Sequence, residues 1–271
     1  MALVGIRPTV RRRIGRLTTY GIFVALVAVI AFTADWPAIH RYFFNWTVAK
    51  QLWPLIFWAG VNTIWYTAFC FLAGLLLAII LALLKMSNGP FKWFAIAYIE
   101  FFRGLPALLT IILMVFAIPI VFKIKFPGGP VGGGLAALII VTSAYTAEII
   151  RGGIVAVPVG QREAARSLGM GNLRTTLTVI LPQAFRIVIP PLTNEFVTLL
   201  KDTSLLFAAG LMLYQRVGIP TQMELTSFGR SSQTTYGSPT PLIAAAICYL
   251  IITLPLTYLI SRLEKSMAVK K

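Results

Sequence analysis

Long apolar runs alternate with short polar stretches along the whole chain. A run of about 20 apolar residues crosses a bilayer as a helix. The pattern predicts six such spans, at about 17–34, 54–84, 95–121, 135–150, 186–211 and 240–261. The second is longer than a bilayer requires, which implies tilt or a start along the interface. Its Gly60 and Gly74 suit close helix contact. Pro106 and Pro119 are expected to kink the third span, and Pro190 with Pro191 to loosen the fifth. Gly128, Gly129 and the run Gly132 to Gly134 read as a flexible connection before the fourth, the shortest span. Between the first two spans, Trp36, Trp46 and Trp53 fit an interfacial aromatic belt. Residues 214–239 read as a polar loop.

One polar stretch differs from the other connections. Between the fourth and fifth spans, Pro158 is placed to open a helix and Gly169 to close it. Asn172 is then placed to cap a second short helix that runs into Pro182. Arg162 and Arg166 are four apart and share a face. Such an amphipathic elbow suits docking into a groove on a soluble partner. A plain cytoplasmic loop made basic by membrane topology has the same composition.

The residue order in this stretch is more specific. Glu163-Ala164-Ala165, three residues, Gly169, nine residues, Val179, one residue and Leu181-Pro182 resembles the EAA loop of ABC importer permeases, with Val179 where Ile is usual. Three further stretches lie in the matching order: Glu100 to Pro106, Glu148 to Ile154, and Asn194 to Leu205. Together they resemble the polar amino acid uptake subfamily from about residue 60 to 264. The resemblance implies an all-α membrane protein of about six transmembrane helices, with one extra N-terminal helix, a five-helix permease core and cytoplasmic coupling helices. The domains would then be 1–53, comprising the basic N-terminus, first helix and outer loop, and 54–271, the permease core.

Composition agrees with a membrane protein: 58% of the 271 residues are hydrophobic and the mean hydropathy is +0.84. The net charge of +16 raises nucleic acid as a partner. The Lys and Arg residues instead concentrate in the segments on one side of the spans, which places both termini in the cytoplasm by the positive-inside rule. Arg7, Arg11, Arg12, Arg13 and Arg16 precede the first span, which therefore also has the look of a signal peptide. Ala31-Phe32-Thr33-Ala34 is a poor cleavage site, so a retained helix is expected. Cys70 and Cys248 fall in apolar spans and read as small hydrophobes rather than a disulfide. No zinc-type cluster is present in the sequence, and the single His40 reads as a surface residue. Glycines 128–134 are not followed by Lys-Ser/Thr, so they do not form an ATP phosphate loop.

Ionisable groups inside spans are costly and usually face a cavity or a partner. Glu148, Glu195, Lys201 and Asp202 qualify. With Thr142, Ser143, Tyr145, Asn194 and Thr198 they are candidates for a substrate path along the fourth and fifth spans. Asn194, Thr198, Lys201 and Asp202 are expected to form one stripe with Glu195 at its edge. The alternative is structural pairing, of Lys201 with Glu195 or Asp202 and of Glu148 with Arg151, or polar contact between subunits. The ATPase-coupling candidates are Arg162, Glu163, Ala164, Ala165, Leu168 and Gly169.

The function implied by the resemblance is the membrane-spanning permease subunit of an ATP-driven importer for a polar amino acid, in the bacterial cytoplasmic (inner) membrane. It would be non-catalytic: ATP and Mg would bind a separate ATPase dimer. Its other partners would be a second permease, identical or paralogous, an extracytoplasmic amino-acid-binding protein and the lipid membrane. No nucleic acid, metal or cofactor in this chain is expected. The competing function is a self-contained channel or secondary carrier for small polar solutes.

Overall fold

The computed structural model describes residues 8–53, 55–210 and 222–267. Arg7, used above for the charge pattern, and Leu211, the expected end of the fifth span, lie outside them. The chain divides into two compact units, Met1–Trp46 and Thr47–Lys271. Every regular element among the described residues is a helix.

In the first unit, α1 (Pro8–Thr33) is a single uninterrupted helix with its described side chains almost all exposed. The Asp35 carboxylate accepts from the Ala38 N–H at 2.9 Å and so starts α2 (Trp36–Ala38), which continues into a π-turn, Ile39–Phe43. Much of the stretch read as a loop is therefore helical, and His40 within it is exposed.

The second unit begins within α3 (Trp46–Leu52). It then passes into α4 (Leu55–Met86), whose 32 residues exceed the bilayer requirement as expected. Gly74 of α4 lies against the next long helix, where an added Cβ would stand 3.2 Å from Thr142 Cγ2; Gly60 faces open space and makes no such contact. After Gly89 at φ 107° comes α5 (Pro90–Gly104).

The third span is not one kinked helix. The chain turns by 106° between α5 and the run Ala107–Phe122, which consists of α6 (Ala107–Ile112), a π-turn and α7 (Ile118–Phe122). Leu105 is extended, at φ −95° and ψ 139°, as a residue before proline prefers. Pro106 therefore ends one helix and starts another instead of bending a continuous one.

The fourth span is longer than the pattern implied: α8 covers Pro130–Val155. Gly132, Gly133 and Gly134 belong to it instead of forming a flexible connection. They let other segments approach, with Gly133 against Val115 and Phe126 and Gly134 against Leu206. Small residues read as punctuation are here a packing device.

The elbow follows as α9 (Val159–Ser167) and α10 (Asn172–Thr175). The second short helix does not stand alone. A π-turn, Thr176–Ile180, joins α10 to α11 (Leu181–Asp202), and a 3₁₀ stretch extends the rod to Ala209, so that Asn172–Ala209 is one helical run of 38 residues. Gly171 rather than Asn172 occupies the N-cap of α10. Pro182 sits in the first turn of α11, where its missing N–H costs little, and Gln183 Nε2 donates to the Val179 carbonyl at 3.0 Å. The rod continues through Pro190 and Pro191.

The expected polar loop beyond it contains α12 (Leu225–Tyr236). The last span is α13 (Thr240–Met267). Among the described residues, four helices are long and apolar enough to span a membrane, or six if each bent pair counts as one. Buried positions favour small and hydroxyl residues, including Ala78, Ala82, Ala137, Ala144, Ala147, Thr63, Thr67, Ser143 and Thr146. Large apolar residues such as Trp65, Leu72, Leu76, Ile251 and Leu254 face outward. That inversion suits a lipid surround, in which close backbone packing rather than burial of bulk holds helices together.

Candidate functional site

Two features dominate the second unit: the elbow at one end and a polar cavity between α8 and α11. The elbow closes with a Schellman turn. The Met170 N–H reaches the Ala165 carbonyl at 3.2 Å and the Gly169 N–H reaches the Arg166 carbonyl at 2.9 Å, with Gly169 at φ +81°. A glycine takes this left-handed conformation without a Cβ penalty. An Arg166 Nη1 bond to the Met170 carbonyl, 2.9 Å, braces the same turn. Ala165 is buried, which lets α9 lie against the π-turn behind it, while Arg162, Glu163, Ala164 and Leu168 are exposed. Val159, Leu168, Leu173 and Leu177 form an exposed apolar set around the elbow, with Leu168 at 83%. Of the six coupling candidates, Ala165 thus holds the elbow together and does not face outward.

The cavity between α8 and α11 has a volume of about 220 Å³ and is lined by Ala107, Leu138, Val141, Thr142, Tyr145, Glu195, Thr198 and Asp202. Five of the nine substrate-path candidates therefore meet in one place. Steps of about 100° per residue explain the selection on α11: Glu195, Thr198 and Asp202 fall within one narrow sector that faces α8. Asn194 and Lys201 fall on the neighbouring sector, so the expected single stripe is divided. Asn194 Nδ2 donates to Glu264 of α13 at 3.0 Å. Lys201 lines a separate cavity of about 480 Å³ with Ser204, Thr226, Ala246, Tyr249, Leu250 and Thr253. It joins neither Glu195 nor Asp202 among the ion pairs of the described residues.

Glu148 and Ser143 are engaged elsewhere. The Glu148 carboxylate receives Lys85 Nζ of α4 at 2.9 Å and Arg151 Nε at 3.0 Å, and Lys85 also reaches Glu100 of α5 at 3.3 Å. Ser143 is buried, donates to the Ile140 carbonyl at 2.7 Å and lies 3.0 Å from the Tyr98 hydroxyl. Tyr145 at the cavity wall donates to the Arg103 carbonyl at 3.3 Å. The pairing of Glu148 with Arg151 is as anticipated; the participation of Lys85 is not, because Lys85 lies 63 positions away in sequence.

The family model described as "binding-protein-dependent transport system inner membrane component" matches residues 74–269. The chain belongs to this family, the permeases of ABC importers. An L-cystine transport system permease protein of Bacillus subtilis (strain 168) is 39% identical over 162 residues, covering 59% of this chain and 68% of that protein. A probable glutamine ABC transporter permease protein of the same strain is 40% identical over 182 residues, covering 65% and 78%. The crystal structure of an amino acid ABC transporter with histidines superposes with a TM-score of 0.70 at 35% identity, over 80% of this chain and 96% of that chain.

The permease carries one polar centre that its sequence did not reveal. Glu224, fully buried, caps α12: its carboxylate accepts from the Thr226 N–H at 2.5 Å, the Ser227 N–H and hydroxyl at 2.6 Å, and the Tyr249 hydroxyl at 3.1 Å. Thr63 accepts from the Leu225 N–H, Asn62 donates to the Met223 carbonyl and Tyr66 to the Gln222 carbonyl. Burial pushes the Glu224 carboxyl above its ordinary range, against the pull of these hydrogen bonds. The only sequence signal was an acidic residue two positions before a Ser/Thr pair in an apparently polar loop. Neither residue type identifies the α4 and α13 side chains that surround it.

Proposed function

We propose that this permease is the membrane-spanning subunit of an ATP-driven importer of a polar amino acid. The observation that carries the reading is the cavity between α8 and α11. In spans that otherwise present apolar or buried small residues, two carboxylates, two hydroxyl-bearing threonines and a tyrosine converge there. A polar solute crossing hydrocarbon must exchange its hydration for fixed polar groups of this kind. The relatives named for L-cystine and glutamine support an amino acid as the solute.

In this reading the elbow end is cytoplasmic, both termini lie on that side, and the protein resides in the bacterial inner membrane. Residues 54–271 form the permease core, and a second permease completes the pathway. A separate ATPase dimer, which binds ATP and Mg, docks on Val159, Leu168, Leu173 and Leu177 with Arg162 and Glu163 beside them. An extracytoplasmic binding protein delivers the solute at the opposite end. The elbow transmits ATPase closure into α8 and α11 at once, because it is the chain segment that joins them, and rigid-body movement then exchanges access.

Cysteine substitution at Thr142, Thr198 and Asp202 in the assembled transporter tests the path. The expected outcome is labelling by a water-soluble thiol reagent that substrate suppresses. Positions that stay unlabelled in every nucleotide state, yet crosslink between permeases, would make this face an interface between subunits.

A further inference from the structure

The Lys85 cluster has a geometry that the cavity and the elbow do not account for. Lys85 stands one residue before the end of α4, and its side chain is 14% exposed. It contacts Glu148 on α8 and Glu100 on α5, and Glu148 is held in turn by Arg151. One ammonium therefore joins the last turn of α4 and the C-terminal part of α8 to the C-terminal half of α5. Two neutral contacts reinforce the union of α5 and α8 nearby, Tyr98 with Ser143 and Tyr145 with the Arg103 carbonyl. Beneath them Ala78, Leu81 and Ala82 of α4, Ala95 and Ile99 of α5 and Ala147 of α8 form one packed cluster. α11 carries the opposite cavity wall; it meets α4 through an apolar ring contact, Phe196 against Phe71, and has no ion pair to α8 among the described residues. The last turn of α8 leads directly into the elbow at Val159.

We propose that Lys85 is a positioning residue that binds α4, α5 and α8 into one rigid body, so that movement delivered at the elbow carries all three helices against α11 and opens or closes the cavity between them. The inference rests on the elbow being the site where the ATPase acts. Without the ammonium, α8 would still receive the displacement, but Glu148, Arg151 and Glu100 would be left with unbalanced charge and α4 and α5 would lag behind. Energy from hydrolysis would then be lost as relative motion inside the permease. Paired charges at a partly buried site resist such separation because each leaves the other poorly solvated.

The test uses the assembled permease–ATPase complex in liposomes, with transport and ATP hydrolysis measured together. Lys85→Met is expected to lower solute transported per ATP by about tenfold, within the range that coupling networks carry, while hydrolysis and co-purification of the ATPase persist. Lys85→Arg is expected to restore the ratio. In a background with Cys70→Ala and Cys248→Ala, the pair Lys85→Cys and Glu148→Cys should be uncoupled until a bifunctional thiol crosslinker joins the two helices and restores transport per ATP. An unchanged ratio in Lys85→Met overturns the proposal, as does a crosslink that fails to restore transport. If Lys85→Met does not assemble, Glu100→Gln at the exposed edge of the cluster decides, and an unchanged ratio there overturns it. Failure of the elbow reading is distinct: Gly169→Val would then transport normally whatever the Lys85 variants do.

Discussion

Gly153 and Gly152 adjoin in sequence and differ completely in surroundings. A Cβ on Gly153 would overlap the Val188 side chain of α11, whereas one on Gly152 meets nothing within 4 Å. Gly153→Val is therefore expected to force α8 and α11 apart at a cost of about 1–3 kcal/mol, the usual range for overpacking, and Gly152→Ala to be nearly neutral. Thermal unfolding in detergent checks the pair; equal melting temperatures would contradict the packing. Glu224 makes a different residue-scale prediction. Its carboxyl is raised by burial, so the folded state holds the proton more tightly than the unfolded state. That contribution is complete below the ordinary carboxylate value and is lost as pH rises through the raised one. The melting temperature should fall with rising pH in that interval, and Glu224→Gln should remove this part of the slope. An unaltered slope in the variant would assign the pH dependence to another group.

At the scale of elements, the elbow is the part most readily broken by one substitution. Gly169 has φ +81° and open space around it, so a side chain there is opposed by the backbone and not by neighbours. Gly169→Val should cost about 1–2 kcal/mol locally, the order of the left-handed penalty, and turn α9 away from α10. The expected outcome is continued ATP hydrolysis with loss of uptake in the reconstituted complex; normal uptake with normal ATPase association would remove the elbow from the coupling step. The elbow was legible in the sequence because its signals are local: proline before the helix, glycine after it, and EAA order between. The break at Leu105–Pro106 was less legible. A proline signals a bend, but the 106° turn depends on what α5 and α6 pack against. Glycines 132–134 misled for the same reason, since local statistics treat glycine as a turn former and only Val115, Phe126 and Leu206 make it a contact.

For the whole molecule, the permease is expected to be inactive alone. Liposomes holding only this chain should show no solute flux with or without ATP, and uptake should appear when the ATPase subunits, the second permease and the binding protein are added. Flux in the chain-only liposomes would favour a self-contained channel or carrier. The cavity lies inside one chain and is lined from α6, α8 and α11, so its polar groups are already gathered before any second permease joins.

Hydrophobic length and charge distribution determined that this is a multi-pass helical membrane protein, because burying apolar runs in lipid and keeping Lys and Arg out of it are properties of composition along the chain. The ordered motifs determined the family. Tertiary structure decided which polar residues meet. Glu195, Thr198 and Asp202 face Thr142 and Tyr145 while Lys201 and Asn194 turn away, since a difference of a few tens of degrees on one helix selects a different neighbour. It also decided that Glu148 is neutralised by Lys85, and that Glu224 is buried beside Tyr249. Those partners lie tens of residues apart, and only the packing of α4, α8, α12 and α13 brings them within hydrogen-bond reach.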